Sequence, residues 1–157
     1  MYWESALSLS VEVSIGIAGF SGVIAVLKSG QTDLTEEERV AFEVLMGASG
    51  WTMLFGIIPL VLADSITDDL LWRVCSALYA ISWIAIAVSR LVEYRRGRIS
   101  KAAAFPIMVV ASLITSLLLT NTIWLGVYWL YLGVIILQLT NAFVMFFRLL
   151  RSMWIDA

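Results

Sequence analysis

The side chains best able to do chemistry in this chain are few, and most stand in strongly apolar surroundings. Glu12 interrupts the run from Ser5 to Leu27, and Arg73 interrupts the run from Leu70 to Val92. Glu43 lies near the start of the stretch Val40 to Leu62, and Gln138 and Asn141 lie within Ile123 to Phe147. A carboxylate or guanidinium in hydrocarbon is costly enough to count as a functional hypothesis by default. Glu12 lies about 10 Å along its run at the helical rise of about 1.5 Å per residue. It is a candidate proton or cation site, or else a structural group paired with a cation. Arg73 is its natural partner, because such a pair offsets part of the desolvation cost of each member. At a pore mouth, Arg73 would attract anions or repel cations. As a structural residue, it would snorkel to the interface beside Trp72. Gln138 and Asn141 are expected to form interhelical hydrogen bonds, worth about 1 kcal/mol each.

Other chemistries find no residues. The chain has no histidine, which removes the commonest metal ligand and the usual acid/base near neutral pH. The one cysteine, Cys75, allows no intramolecular disulfide and reads as a small packing residue. There is no Gly-rich phosphate loop, no zinc-spaced ligand set and no aspartate dyad inside a span. We therefore expect no catalytic residues, no metal, no cofactor and no enzyme activity. The basic segment Arg95 to Lys101 is too short for a nucleic-acid surface, and is expected to set topology and touch anionic lipid heads.

The elements that must position these residues follow from composition. Of 157 residues, 61% are hydrophobic and 14% charged. A soluble domain is about 45–50% apolar and about 25% charged. A chain of this length buries only about two-thirds of its surface, so the excess needs an apolar solvent. A spanning helix takes about 20 mostly apolar residues. The chain offers such segments at about 5–27, 40–62, 70–92, 102–119 and 123–147. The first is read as a retained span, because no basic region precedes it. Asp33 or Thr35 is expected to cap the second helix, and Thr120, Asn121 and Thr122 to form the turn between the last two. The expected fold is a single all-α transmembrane domain, a bundle of five helices.

Lysine and arginine placement orients it. Lys28, Arg39, Arg90, Arg95, Arg96, Arg98, Lys101, Arg148 and Arg151 fall on one side of a five-span arrangement, and Arg73 falls near the other. The positive-inside rule then places the N-terminus outside and the C-terminus in the cytoplasm, in the cell's inner (plasma) membrane. Tyr2, Trp3, Trp72 and Trp124 are expected near the outer boundary, with Tyr94 and Trp154 near the inner one.

Helical periodicity places Ser5, Ser8, Glu12, Gly16 and Gly19 on one face of the first span. Glu36, Arg39, Glu43, Gly47 and Gly50 share a face of the second. Small residues let helices approach closely, so Gly16, Gly19, Gly47 and Gly50 are the candidate packing positions. Five helices leave little room for an aqueous path at their own centre. A path would form between protomers of a closed homo-oligomer. The leading expectation is an oligomeric ion or proton channel or transport protein. The alternative is a non-transporting accessory or scaffold subunit that binds a membrane partner through its helix faces.

Overall fold

A computed structural model describes residues 2–29, 36–97 and 101–155, and helix is the regular structure throughout them. The elements are α1 (Tyr2–Ser29), α2 (Glu36–Leu62), α3 (Asp68–Arg95), α4 (Lys101–Thr120), a π-helical turn (Asn121–Leu125) and α5 (Tyr128–Ile155). Five helices are long and apolar enough to cross a membrane, as the hydropathy pattern predicts. The expected caps Asp33 and Thr35, and Arg98 of the basic loop, lie outside the described residues, as do the side chains of Lys28, Lys101 and Trp154.

Local chemistry explains where α3 starts and stops. Thr67 precedes it in extended conformation (φ −67°, ψ 149°), and Asp68 and Asp69 occupy its first turn. Carboxylates there face the positive end of the helix dipole. At the other end Gly97 adopts φ +69° and donates its N–H to Tyr94 O at 3.0 Å. That left-handed residue just past a helix is the usual position for glycine, which has no Cβ to object.

The chain divides into two compact units. The first comprises Met1–Leu60 with Leu132–Ala157, and so contains α1 and most of α2 and α5. Its buried side chains include Leu7, Val11 and Ile17 of α1, Leu45, Ala48 and Phe55 of α2, and Ile135 and Ala142 of α5. One close approach depends on a missing side chain. A Cβ at Gly56 would lie 2.6 Å from Val11 Cγ2 and 3.8 Å from Leu7 O, so α1 and α2 meet there. Gly16, Gly19, Gly47 and Gly50 have nothing within 4 Å of a Cβ built on them. The α1–α2 contact thus uses Gly56, and those four glycines line no close approach among the described residues.

The second unit, Val61–Tyr131, packs α3 on α4. Ala111, Ile114 and Leu118 recur at helical spacing on α4 and are buried, as are Leu71, Cys75, Tyr79 and Ala80 on α3. Tyr131 closes this core, 5.8 Å from Trp72 and 5.9 Å from Tyr79 between ring centroids. Tilted aromatic pairs at such separations are favourable beyond the area they bury. Of the four aromatics expected at the outer boundary, Tyr2 and Trp124 are exposed, whereas Trp3 and Trp72 are core residues.

The last turn corrects the sequence reading. Thr120, Asn121 and Thr122 are not the reversal between the last two spans. Thr120 Oγ1 and Thr122 Oγ1 donate to Ser116 O and Leu118 O, each four residues back, so the chain stays helical through both. It reverses at Gly126 and Val127 instead, where Gly126 (φ +62°) donates its N–H to Asn121 O at 2.8 Å. The last span accordingly begins at Tyr128 rather than Ile123.

Candidate functional site

Two groups of polar residues stand out, one in each unit. In the second unit they form a closed knot around the turn. Asn121 is fully buried and uses its whole amide. Its Nδ2 donates to Ser76 Oγ at 2.8 Å and to Val127 O at 3.0 Å, and its Oδ1 accepts Val127 N–H at 2.9 Å. The side chain stands in for a backbone segment across the reversal, which is what buried backbone groups require.

Arg73 completes the knot. Its Nε donates to Asp69 Oδ2 at 2.9 Å, four residues back on α3. Its Nη1 donates to Thr122 O at 3.1 Å and Ile123 O at 2.8 Å, with a longer contact of 3.4 Å from Nη2 to Trp124 O. These carbonyls end a helix, where the dipole is negative and partners are lacking, so a guanidinium fits them in charge and geometry. A Cβ on Gly126 would collide with Asp69 Oδ1 and crowd Arg73 Nε. The glycine is therefore required twice, by its conformation and by the ion pair lying over it. Arg73 is an anchor whose donors are engaged within its own unit.

In the first unit the polar residues divide between an exposed and a buried side. Ser5, Ser8, Glu12, Gly16 and Gly19 share a face of α1, as periodicity predicts, and all are exposed. The apolar residues beside them, Leu9, Ile15 and Phe20, are exposed as well, at 60%, 54% and 67%. Glu12 has no ion pair or hydrogen bond among the described residues. On α2, Arg39, Glu43, Gly47 and Gly50 are exposed in the same manner, with Met46 and Met53 beside them. The buried side of α1 carries Ser10, Ser14 and Ser21 instead, each bonded to the carbonyl four residues back at 2.6–2.8 Å. Gln138 is buried on α5, while Asn141 is exposed.

The structure thus groups the expected residues by orientation. It sets Glu12 with Gly16 and Gly19 on one outward face, and Glu43 with Gly47 and Gly50 on another. Gly126 and Gly56 were not among the expected positions, and Asn121 was expected only as a turn residue. Gly126 carries a readable signal, a glycine directly after an apolar helical run. Among the described residues no three histidine, cysteine, aspartate or glutamate side chains cluster as a metal site would need. No protein-family model, curated protein or solved structure matches this chain.

Proposed function

We propose that this protein is a multi-pass protein of the cell's inner membrane, with its N-terminus outside, that assembles as a homo-oligomer and carries ions or protons. In this reading the Glu12 faces of neighbouring protomers meet around the path, and Glu43 adds charge towards the cytoplasmic end. The observation that carries the proposal is the outward aspect of Glu12 among exposed apolar and small residues. A carboxylate turned to lipid within the hydrocarbon is costly, by up to about 2.5–3.5 kcal/mol on insertion scales at the centre. A neighbouring protein surface or water removes that cost, and a path between protomers supplies both. Arg73 is left out of the path, since its guanidinium holds the Asn121–Leu125 turn.

The test is flux of ions and protons into liposomes holding the purified protein, beside Glu12→Gln. Flux above that of empty liposomes, altered in Glu12→Gln with the oligomer intact, is the expected result. No flux under any imposed gradient or voltage, from protein shown to be folded, would sink the transport reading.

The same outward faces support a second reading. Exposed glycines at Gly16, Gly19, Gly47 and Gly50 also suit docking of a different membrane protein, with this chain as its accessory or scaffold subunit. Recovery of a stoichiometric partner from native membranes, lost in Glu12→Gln together with assembly, distinguishes it. Reporter fusions at the C-terminus that are active only in the cytoplasm test the orientation.

A further inference from the structure

We infer that the core of the α1–α2 pair binds a water molecule, held by Ser14 of α1 and by Ser49 and Thr52 of α2. Ser49 and Thr52 are 1% and 0% exposed, and Ser49 Oγ and Thr52 Oγ1 are buried with no hydrogen-bond partner. A hydroxyl on a helix usually satisfies itself on the carbonyl four residues back. Ser10, Ser14 and Ser21 do so on α1, and Ser82, Ser89 and Thr140 do so elsewhere. Ser49 and Thr52 depart from that habit side by side, at a helical spacing of three. Two unmet hydroxyls in one dry core are costly unless something else meets them.

Helix packing brings a third oxygen to the same level of the pair. Ser49, Thr52 and Gly56 lie at i, i+3 and i+7 on α2, and Gly56 is where α2 meets Leu7 and Val11. Leu7, Val11 and Ser14 lie at i, i+4 and i+7 on α1, so the two stripes face each other. Further along, Ile17 of α1 packs in one cluster with Ala41, Leu45 and Ala48 of α2. The helices are therefore antiparallel, and Ser14 comes opposite the step from Ser49 to Thr52. Ser14 has committed its proton to Ser10 O at 2.7 Å, which leaves its oxygen able only to accept. A water between the helices accepts from Ser49 and Thr52 and donates to Ser14 Oγ. Those three bonds are the usual number for a buried water.

The donor set favours water over a cation. Three neutral hydroxyls supply no compensating charge, and Glu12, within one turn of Ser14, lies on the opposite, exposed side of α1. The inference does not rest on the transport reading, and flux plays no part in its test.

A high-resolution structure of the purified full chain is expected to show one ordered density peak within hydrogen-bond distance of Ser49 Oγ and Thr52 Oγ1. Thermal unfolding in detergent supplies an independent check through Thr52→Val, which keeps shape and removes the hydroxyl. Its midpoint is expected to fall, because the water and Ser49 lose a partner, and Thr52→Ser is expected to keep the peak. A raised midpoint in Thr52→Val would overturn the proposal, since it marks relief of a hydroxyl that bound nothing. So would hydroxyls turned onto Leu45 O and Ala48 O with no peak, or a peak that appears only with added sodium. If Thr52→Val does not fold, the density in the unaltered protein decides.

Discussion

The two units treat their polar residues in opposite ways. In the second, Asp69, Arg73, Ser76, Asn121 and Thr122 satisfy one another and the backbone of one turn. In the first, Glu12 and Glu43 stand on the outer faces of α1 and α2, and Ser49 and Thr52 are buried without a protein partner. The contrast separates two uses of polarity. A bonded set holds the chain's own path, because Asn121 and Arg73 each fasten the backbone of the turn. An open set is complete only when something joins it, whether another chain, an ion or water.

Substitutions can break or sharpen that contrast. The largest effect is expected for Asn121→Leu, which strands both backbone groups of Val127 and should cost about 3 kcal/mol in unfolding measured in detergent. Arg73→Met follows at about 2 kcal/mol, from the loss of charge-assisted bonds to Thr122 O and Ile123 O. If either variant unfolds like the unaltered protein, the second unit is not held by its polar knot. In the first unit, Gly56→Ala presses on Val11 and should cost about 1–2 kcal/mol by the same assay. Gly16→Ala meets open space, so helix propensity alone should stabilise the isolated chain, by about 0.5–1 kcal/mol. The same change should weaken oligomer formation in cross-linking or native mass spectrometry. An oligomer indifferent to Gly16→Ala would show that the α1 face is not the contact. The smallest change in chain stability, under about 0.5 kcal/mol, is expected for Glu12→Gln, as for other surface substitutions.

Much of the architecture can be read from hydropathy and much of the packing cannot. Length and apolar content identify five helices because the signal is summed over some twenty residues and survives local noise. The face shared by Glu12, Gly16 and Gly19 follows from periodicity, which is geometry internal to one helix. What that face meets is a relation between helices, and no linear pattern encodes it. Polar type alone is a poor guide to burial, for a definite reason. At Ser10, Ser14 and Ser21 the hydroxyl folds back on its own helix and presents a small, nearly apolar surface, so these residues pack where polarity suggests they should not. Thr120, Asn121 and Thr122 mislead in the same way, because two of the three hide their hydroxyls within the helix and the third reaches ahead to Val127. Of the two structural glycines, Gly56 was the harder to single out. Gly56 differs from Gly47 and Gly50 only in having a neighbour.

Arg73 grips Thr122, Ile123 and Trp124 by their carbonyl oxygens, atoms that every amino acid carries. The grip is therefore blind to side-chain identity. Ile123 and Trp124, 59% and 74% exposed, are free to vary in size and polarity without loosening the turn. This stretch of chain is thus a mounting plate on which recognition or membrane-anchoring groups can be exchanged while the support beneath stays the same.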